Sequence, residues 1–173
     1  MIYVLAYPKF EKHVLRRLDG FRRVHEPERA KLVVPHLTLV FGVKQKFTED
    51  VVGLCEEVAG VTSPISLAFS KSEISYDTFE NVHKLSLVCT KGAELITALH
   101  EKLYQGPHQS ERHSDIAYRP HMTVGTNFDV SKLENVDVTT IGQFPINAEF
   151  NHLSVVQLIG KDLRAIAAFQ MAQ

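Results

Sequence analysis

Pro35-His36-Leu37-Thr38-Leu39-Val40-Phe41-Gly42-Val43 alternates polar and apolar side chains, the pattern of a strand with one buried face. Side chains two apart on a strand point the same way, so His36 and Thr38 share one face. By the same parity Phe41 and Val43 point to the other face and read as core. Pro120-His121-Met122-Thr123-Val124-Gly125 repeats the arrangement, with His121 and Thr123 on one face. A single His-x-Thr means little in a chain with nine histidines. Two copies carry weight because both follow proline, both lie in strand-like runs, and both fall at matching points of the chain. The pairs are expected to face each other across a cleft and to handle a phosphate ester.

Working outward, residues 2–7 read as a buried strand. From Pro8 to Leu18, Phe10, Val14, Leu15 and Leu18 recur at helical spacing, and Asp19-Gly20 reads as a stop. A charged, irregular stretch to Lys31 then leads into the first motif strand over 32–43. A helix is expected over 48–58, with Thr48 as its cap. Strands are expected over 65–76 and 82–90, with a turn at 77–81. A helix over 92–104, a polar stretch over 105–117 and the second motif strand over 118–125 follow. After them come a short helix near 130–135 and strands over 146–150, 153–159 and 163–171.

The order of helix, polar loop, His-x-Thr strand, helix and hairpin occurs twice. Pro64-Ile65 with Phe69 also matches Pro145-Ile146 with Phe150. These features predict an α+β fold of two pseudo-symmetric lobes, with antiparallel sheets, helices on the outer faces and a central cleft carrying the two motifs. The whole chain, 1–173, reads as one bilobal domain with repeat units of roughly 1–82 and 83–173.

At 173 residues and 45% hydrophobic, the chain can bury one core shared by both lobes. The 19 basic and 20 acidic residues nearly cancel. That argues against binding duplex DNA or acidic membrane by bulk charge, and leaves room for a small phosphorylated substrate. Lys9, Lys12, Arg16, Arg17, Arg22, Arg23, Arg29 and Lys31 cluster before the first motif and read as a solvated helix face. Cys55 and Cys89 sit in apolar segments and read as small buried hydrophobes. The N-terminus lacks the charged start and long apolar run of a signal peptide, and no run reaches the roughly 20 apolar residues of a membrane helix. A cytoplasmic monomer is the expectation.

Histidine's ordinary pKa of about 6.5 suits it to act as acid or base near neutrality. Of two facing histidines, one neutral ring can take a proton from an attacking water while the other, protonated, gives one to the leaving oxygen. Thr38 and Thr123 can donate hydrogen bonds to the phosphoryl oxygens. No metal or other cofactor is required by this chemistry. His108 and His113 with Asp115 read as solvated loop residues, and His13, His25, His83, His100 and His152 as ordinary surface or half-buried side chains. Arg119, two before His121, is expected on the cleft face as a phosphate ligand or a partner for a carboxylate.

With these residues in view, the chain resembles the two-histidine (2H) phosphoesterase superfamily. More narrowly it is similar to that superfamily's 2′-5′ RNA ligase / cyclic nucleotide phosphodiesterase branch. The resemblance spans the chain and implies two lobes around a cleft, and metal-independent action on 2′,3′-cyclic phosphates or 2′-5′ linkages of RNA and nucleotides. It carries catalytic roles onto His36, Thr38, His121 and Thr123. The expected reaction is hydrolysis of a 2′,3′-cyclic phosphate on an RNA end or a small nucleotide, with His121 as base and His36 as acid. The alternatives are 2′-5′ cleavage or ligation, and a nucleotide- or RNA-binding module with little turnover. The second motif often continues into a basic residue in such proteins, whereas this chain has Thr126.

Overall fold

In the computed structural model, which describes residues 1–112 and 117–173, the first strand and the first motif become neighbours. They are β1 (Ile2–Ala6) and β2 (Leu37–Val43), paired antiparallel. Between them run α1 (Lys12–His25) and α2 (Pro27–Leu32). Then follow α3 (Thr48–Gly60), β3 (Ile65–Asp77), β4 (Val82–Lys91) and α4 (Ala93–Leu103). The second motif forms β5 (His121–Asn127), and α5 (Ser131–Glu134), β6 (Ile146–Phe150), β7 (His152–Ile159) and β8 (Asp162–Gln170) complete the chain.

The strands make two four-stranded antiparallel sheets, ordered β2-β1-β7-β8 and β5-β4-β3-β6. Each motif strand is therefore an edge strand, and the two edges pack against one another. α3 lies against β7 and β8, α1 against β5, and α4 against β2, β3 and β4. The architecture is the α+β arrangement expected, but the contiguous halves of the chain do not coincide with the sheets. β3 leaves the first half to join β4, and β7 and β8 return from the second half to join β1. Ile65 and Phe69 pair with Phe150 and Ile146 respectively. The two similar Pro-Ile…Phe segments are thus partners in one ladder, not strands in equivalent positions.

Side chains from both sheets meet in one continuous core. Phe69 and Phe150 are fully enclosed there, each contributing about 1.5–3 kcal/mol of burial. Two local expectations fail for physical reasons. α1 does not stop at Asp19-Gly20, because Leu18, Phe21 and Arg22 keep the buried stripe going at helical spacing. Gly20 lies on the open side, where an added Cβ would meet nothing within 4 Å; it weakens the helix by about 1 kcal/mol without ending it.

The second failure is Phe41, which is 39% exposed instead of in the core. Leu5 pairs with Thr38 and Val4 with Val40, so Leu39 is an extra residue, a β-bulge. The bulge turns Phe41 outward. A second irregularity before Val43, which pairs with Ile2, returns that residue to the interior.

Candidate active site

Proline sets up each motif histidine. The residue before proline is held extended, and here that residue's carbonyl meets the ring two positions on. His36 Nδ1 lies 2.9 Å from the Val34 carbonyl, and His121 Nδ1 lies 2.8 Å from the Arg119 carbonyl. A carbonyl only accepts, so each Nδ1 carries the hydrogen and donates it. The neutral ring then has its lone pair on Nε2, the atom left free for proton transfer. The same tether on both histidines makes the two rings chemically equivalent in orientation.

Both rings are half-buried and within electrostatic reach of each other. Burial pushes the His36 pKa down to about 4; the positive Arg22, Arg29 and His121 push the same way, and the Val34 hydrogen bond opposes them. Burial also lowers His121, with Lys84 and Arg119 adding to the shift, while the Arg119 carbonyl and the Asp77 carboxylate oppose it. Arg22 and Arg29 near His36 are themselves paired with Glu26 and Glu80, as Lys84 near His121 is with Asp77 and Glu80.

Thr38 and Thr123 follow on the same faces, half-buried, and neither hydroxyl has a protein partner among the described residues. Thr123 lies directly across the ladder from Ser86, so the two side chains share a face. Ser86 is 5% exposed and its Oγ has no partner. It is a third hydroxyl beside the site that no motif marked.

The edge of β2 is sealed by side chains from the other sheet's helix and linker. His100 Nδ1 donates to the Leu39 carbonyl at 2.7 Å, and the Tyr104 hydroxyl accepts from the Phe41 amide at 3.0 Å. The Tyr118 hydroxyl donates to the Thr38 carbonyl at 3.1 Å. Tyr118 is three residues before His121, so one hydrogen bond links the backbone of the first motif to the chain entering the second.

Other sequence expectations need correction. His100 is buried, stacked on Tyr118 with ring centroids 3.8 Å apart. His108 is fully buried in a 3-10 turn, Pro107–Glu111, with Nε2 2.7 Å from the Leu103 carbonyl; His113 and Asp115 lie outside the described residues. Arg22 is 1% exposed, not solvated: it pairs with the equally buried Glu26 and donates to the Val33 carbonyl at 2.9 Å. Arg29 bridges Glu26 and Glu80, and Lys84 joins Glu80 to Asp77. This chain of charges connects the α1–α2 junction to the β3–β4 hairpin. Arg22 and Glu26 stand four apart, a helical ion-pair spacing hidden by reading a stop at Gly20. Arg119 is paired with Glu73 on β3, its carbonyl holding His121.

Cys55 and Cys89 are buried free thiols. Among the described residues no group of three His, Cys, Asp or Glu side chains is placed to hold a metal. Among the described residues no helix is long and apolar enough to cross a membrane.

A protein-family sequence model described as the 2′-5′ RNA ligase superfamily matches residues 10–162. The chain belongs to this superfamily. Solved proteins with the same fold include TT0787 of Thermus thermophilus, at 19% identity and a TM-score of 0.67 over 99% of this chain and 98% of that one. E. coli LigT complexed with 3′-AMP superposes over the same shares, at 14% identity and a TM-score of 0.65. Usb1 of Kluyveromyces marxianus, at 11% identity, gives 0.57 over 98% and 97% of the two chains. No curated protein matches the chain in sequence. Membership makes this a protein of the 2′-5′ RNA ligase-like phosphoesterase kind.

Proposed function

We propose that this protein hydrolyses a 2′,3′-cyclic phosphate, on an RNA end or a small nucleotide, by metal-independent acid and base catalysis from His36 and His121. The observation that carries the reading is the doubled tether: two imidazoles at the starts of abutting edge strands, each with Nδ1 spent on a carbonyl and Nε2 free, each followed by an unengaged threonine hydroxyl. In the forward step a water oxygen attacks phosphorus while one Nε2 takes its proton. The bond from phosphorus to one bridging ester oxygen breaks, and the other Nε2 delivers a proton to that oxygen. Thr38 and Thr123 donate to the non-bridging oxygens as charge builds there. Each proton transfer contributes typically ~10²–10⁴ in rate.

The surroundings favour His36 as the base and His121 as the acid, the reverse of the assignment made from sequence. Burial first, then Arg22 and Arg29, each held by a glutamate, disfavour a proton on His36, whereas at His121 Asp77 opposes the lowering by burial, Lys84 and Arg119. Adenine nucleotides in the solved complexes of E. coli LigT, namely 3′-AMP, NADP+ and ATP, support a nucleotide substrate here. The superfamily's description keeps 2′-5′ cleavage or ligation as the second reading. The same two imidazoles would then serve a different linkage.

The test is steady-state hydrolysis of a nucleoside 2′,3′-cyclic phosphate and of a p-nitrophenyl phosphodiester, both in EDTA, by wild type, His36→Ala and His121→Ala. Both variants should lose about 10²–10⁴ on the cyclic phosphate. On the p-nitrophenyl ester, whose leaving group needs no proton, His121→Ala should recover most of its loss and His36→Ala should not. The opposite pattern would reverse the roles. A requirement for divalent metal, or unchanged single mutants, would refute the mechanism.

A further inference from the structure

The two histidine tethers are alike at the ring and differ in what holds the carbonyl behind them. Behind His121 it is backbone pairing: the Cys89 amide donates to the Pro120 carbonyl at 3.0 Å, and Val88 pairs with His121 in the ladder. Behind His36 the ladder gives out, since the last pair of β1 with β2 is Ala6 with Leu37, on the far side of His36 from Val34. The Val33–Val34 stretch is held instead from α1 and α2. The Val33 amide donates to the Arg29 carbonyl at 3.0 Å, and the Val33 carbonyl accepts from Arg22 Nη1 at 2.9 Å.

Those two bonds fix the peptide planes on both sides of Val33. Pro35 confines Val34 to extended backbone, so the direction of the Val34 carbonyl follows from the plane before it. That carbonyl accepts from His36 Nδ1 at 2.9 Å. A short chain of contacts therefore runs from Arg22 through Val33 and Val34 to the imidazole.

Stability does not account for Arg22. It is 1% exposed and its partner Glu26 is equally buried. Among the described residues, Arg22 Nη2 and Glu26 Oε2 have no hydrogen-bond partner. Removing both charges from water largely offsets their attraction, and apolar replacements of such pairs are often neutral or stabilising. What a buried guanidinium supplies is a rigid fork, with one arm on its own helix at Glu26 and another on the approach to β2. Burial keeps a proton off His36 first, and the charges of Arg22, Arg29 and His121 act in the same direction.

We propose that Arg22 is a positioning residue for the first motif histidine, holding the Val33–Val34 backbone so that His36 donates from Nδ1 and keeps Nε2 free for the phosphate. Its effect on rate rests on the phosphodiester reading above. Its effect on the ring does not, and is read with no substrate present.

The experiment observes the ring nitrogens of His36 and His121 in long-range proton–nitrogen correlation spectra at about pH 7, where their lowered pKa values keep both rings neutral. Wild type should show both in the Nδ1–H form. Arg22→Met combined with Glu26→Gln removes the buried pair together and leaves Arg29 with Glu80. In that variant His36 should become a mixture of tautomers while His121 stays as in wild type. Its kcat on a nucleoside 2′,3′-cyclic phosphate should fall by about 10–10², with the urea midpoint unchanged or higher. Arg22→Lys keeps a cation for Glu26 without the planar fork that also reaches Val33. It should give the same mixed His36 ring, and it carries the test if the double variant does not fold. A His36 ring unchanged from wild type overturns the role, as do equal changes at His36 and His121, which would mean general loosening. If the ring shifts as expected but wild type hydrolyses no cyclic phosphate, the hydrolytic reading falls and the positioning stands. If wild type hydrolyses it and the variants keep both ring and kcat, the positioning falls and the hydrolytic reading stands.

Discussion

A histidine that donates its Nδ1 hydrogen to the chain two residues back has one nitrogen left, and its protonation is set by what surrounds that nitrogen. His36 and His121 are built alike in this respect. Burial and nearby cations hold both below the ordinary imidazole value, His36 at about 4. The free enzyme is competent when the base is neutral and the acid protonated. With His36 as base, the competent form accumulates as pH rises through about 4; with His121 as acid, it is lost as pH passes that group's own lowered value. The kcat/KM profile should therefore be a bell with its maximum below about 6.5, measured on a nucleoside 2′,3′-cyclic phosphate from about pH 3.5 to 9. In the complex the phosphate's negative charge favours imidazolium, so the kcat profile should move to higher pH. A kcat/KM maximum at about pH 8 would contradict the electrostatics described. The same reasoning gives Thr123→Val, which removes a hydroxyl with no protein partner and keeps the branched shape, a loss of about 10²–10³ in kcat. Thr123→Ser should retain most of the rate under the same assay.

Edge strands carry unpaired backbone groups that must find partners or water. In β2 these are met by His100, Tyr104 and Tyr118, which bond Leu39, Phe41 and Thr38. The strand bearing the first motif pair is thus fixed by the helix and linker that lead to the second. Tyr104→Phe deletes the hydroxyl that accepts from the Phe41 amide while keeping the ring. It should cost about 1–3 kcal/mol, read as a lower urea midpoint with the slope unchanged. Alternation made β2 and β5 legible in sequence, and helical spacing did the same for α3 and α4. The charged run before the first motif was not legible. A Gly after Asp resembles a stop, and only the folded chain reveals that Arg22 finds Glu26 and the Val33 carbonyl inside. Phe41 was misplaced for a related reason: strict period-2 parity cannot register a bulge that depends on pairing with β1. The four motif residues could be read because their chemistry is local, one histidine and one threonine on a face. Tyr118, His100 and Ser86 act across long stretches of chain or across a ladder, and no local pattern carries them.

Across the whole molecule the two sheets exchange strands. β1 has β2 and β7 as neighbours, and β3 has β4 and β6, so each sheet closes only with residues from both halves of the chain. Sequence repetition suggested two units of 1–82 and 83–173, and the topology makes neither self-sufficient. The first would keep the β1–β2 pair but strand β3 without a partner; the second would keep the β4–β5 pair but leave β6 without β3, and β7 and β8 as a hairpin without β1. The pairing of β3 with β4 and β6, which carries Phe69 into the core, is lost in both pieces. A chain cut in the turn Thr78–Asn81 separates the two units without removing a residue from any strand. Each fragment alone should give the collapsed amide dispersion of an unfolded chain in a proton–nitrogen correlation spectrum. An equimolar mixture should regain dispersed signals and, since each fragment brings one motif histidine, the proposed hydrolytic activity as well. A well-dispersed spectrum from residues 1–78 by themselves would show that the exchanged strand is dispensable. Activity from one fragment alone would show that a single motif histidine suffices. Neither result is compatible with the proposed site, whose two motif histidines come from different halves and whose sheets each draw strands from both.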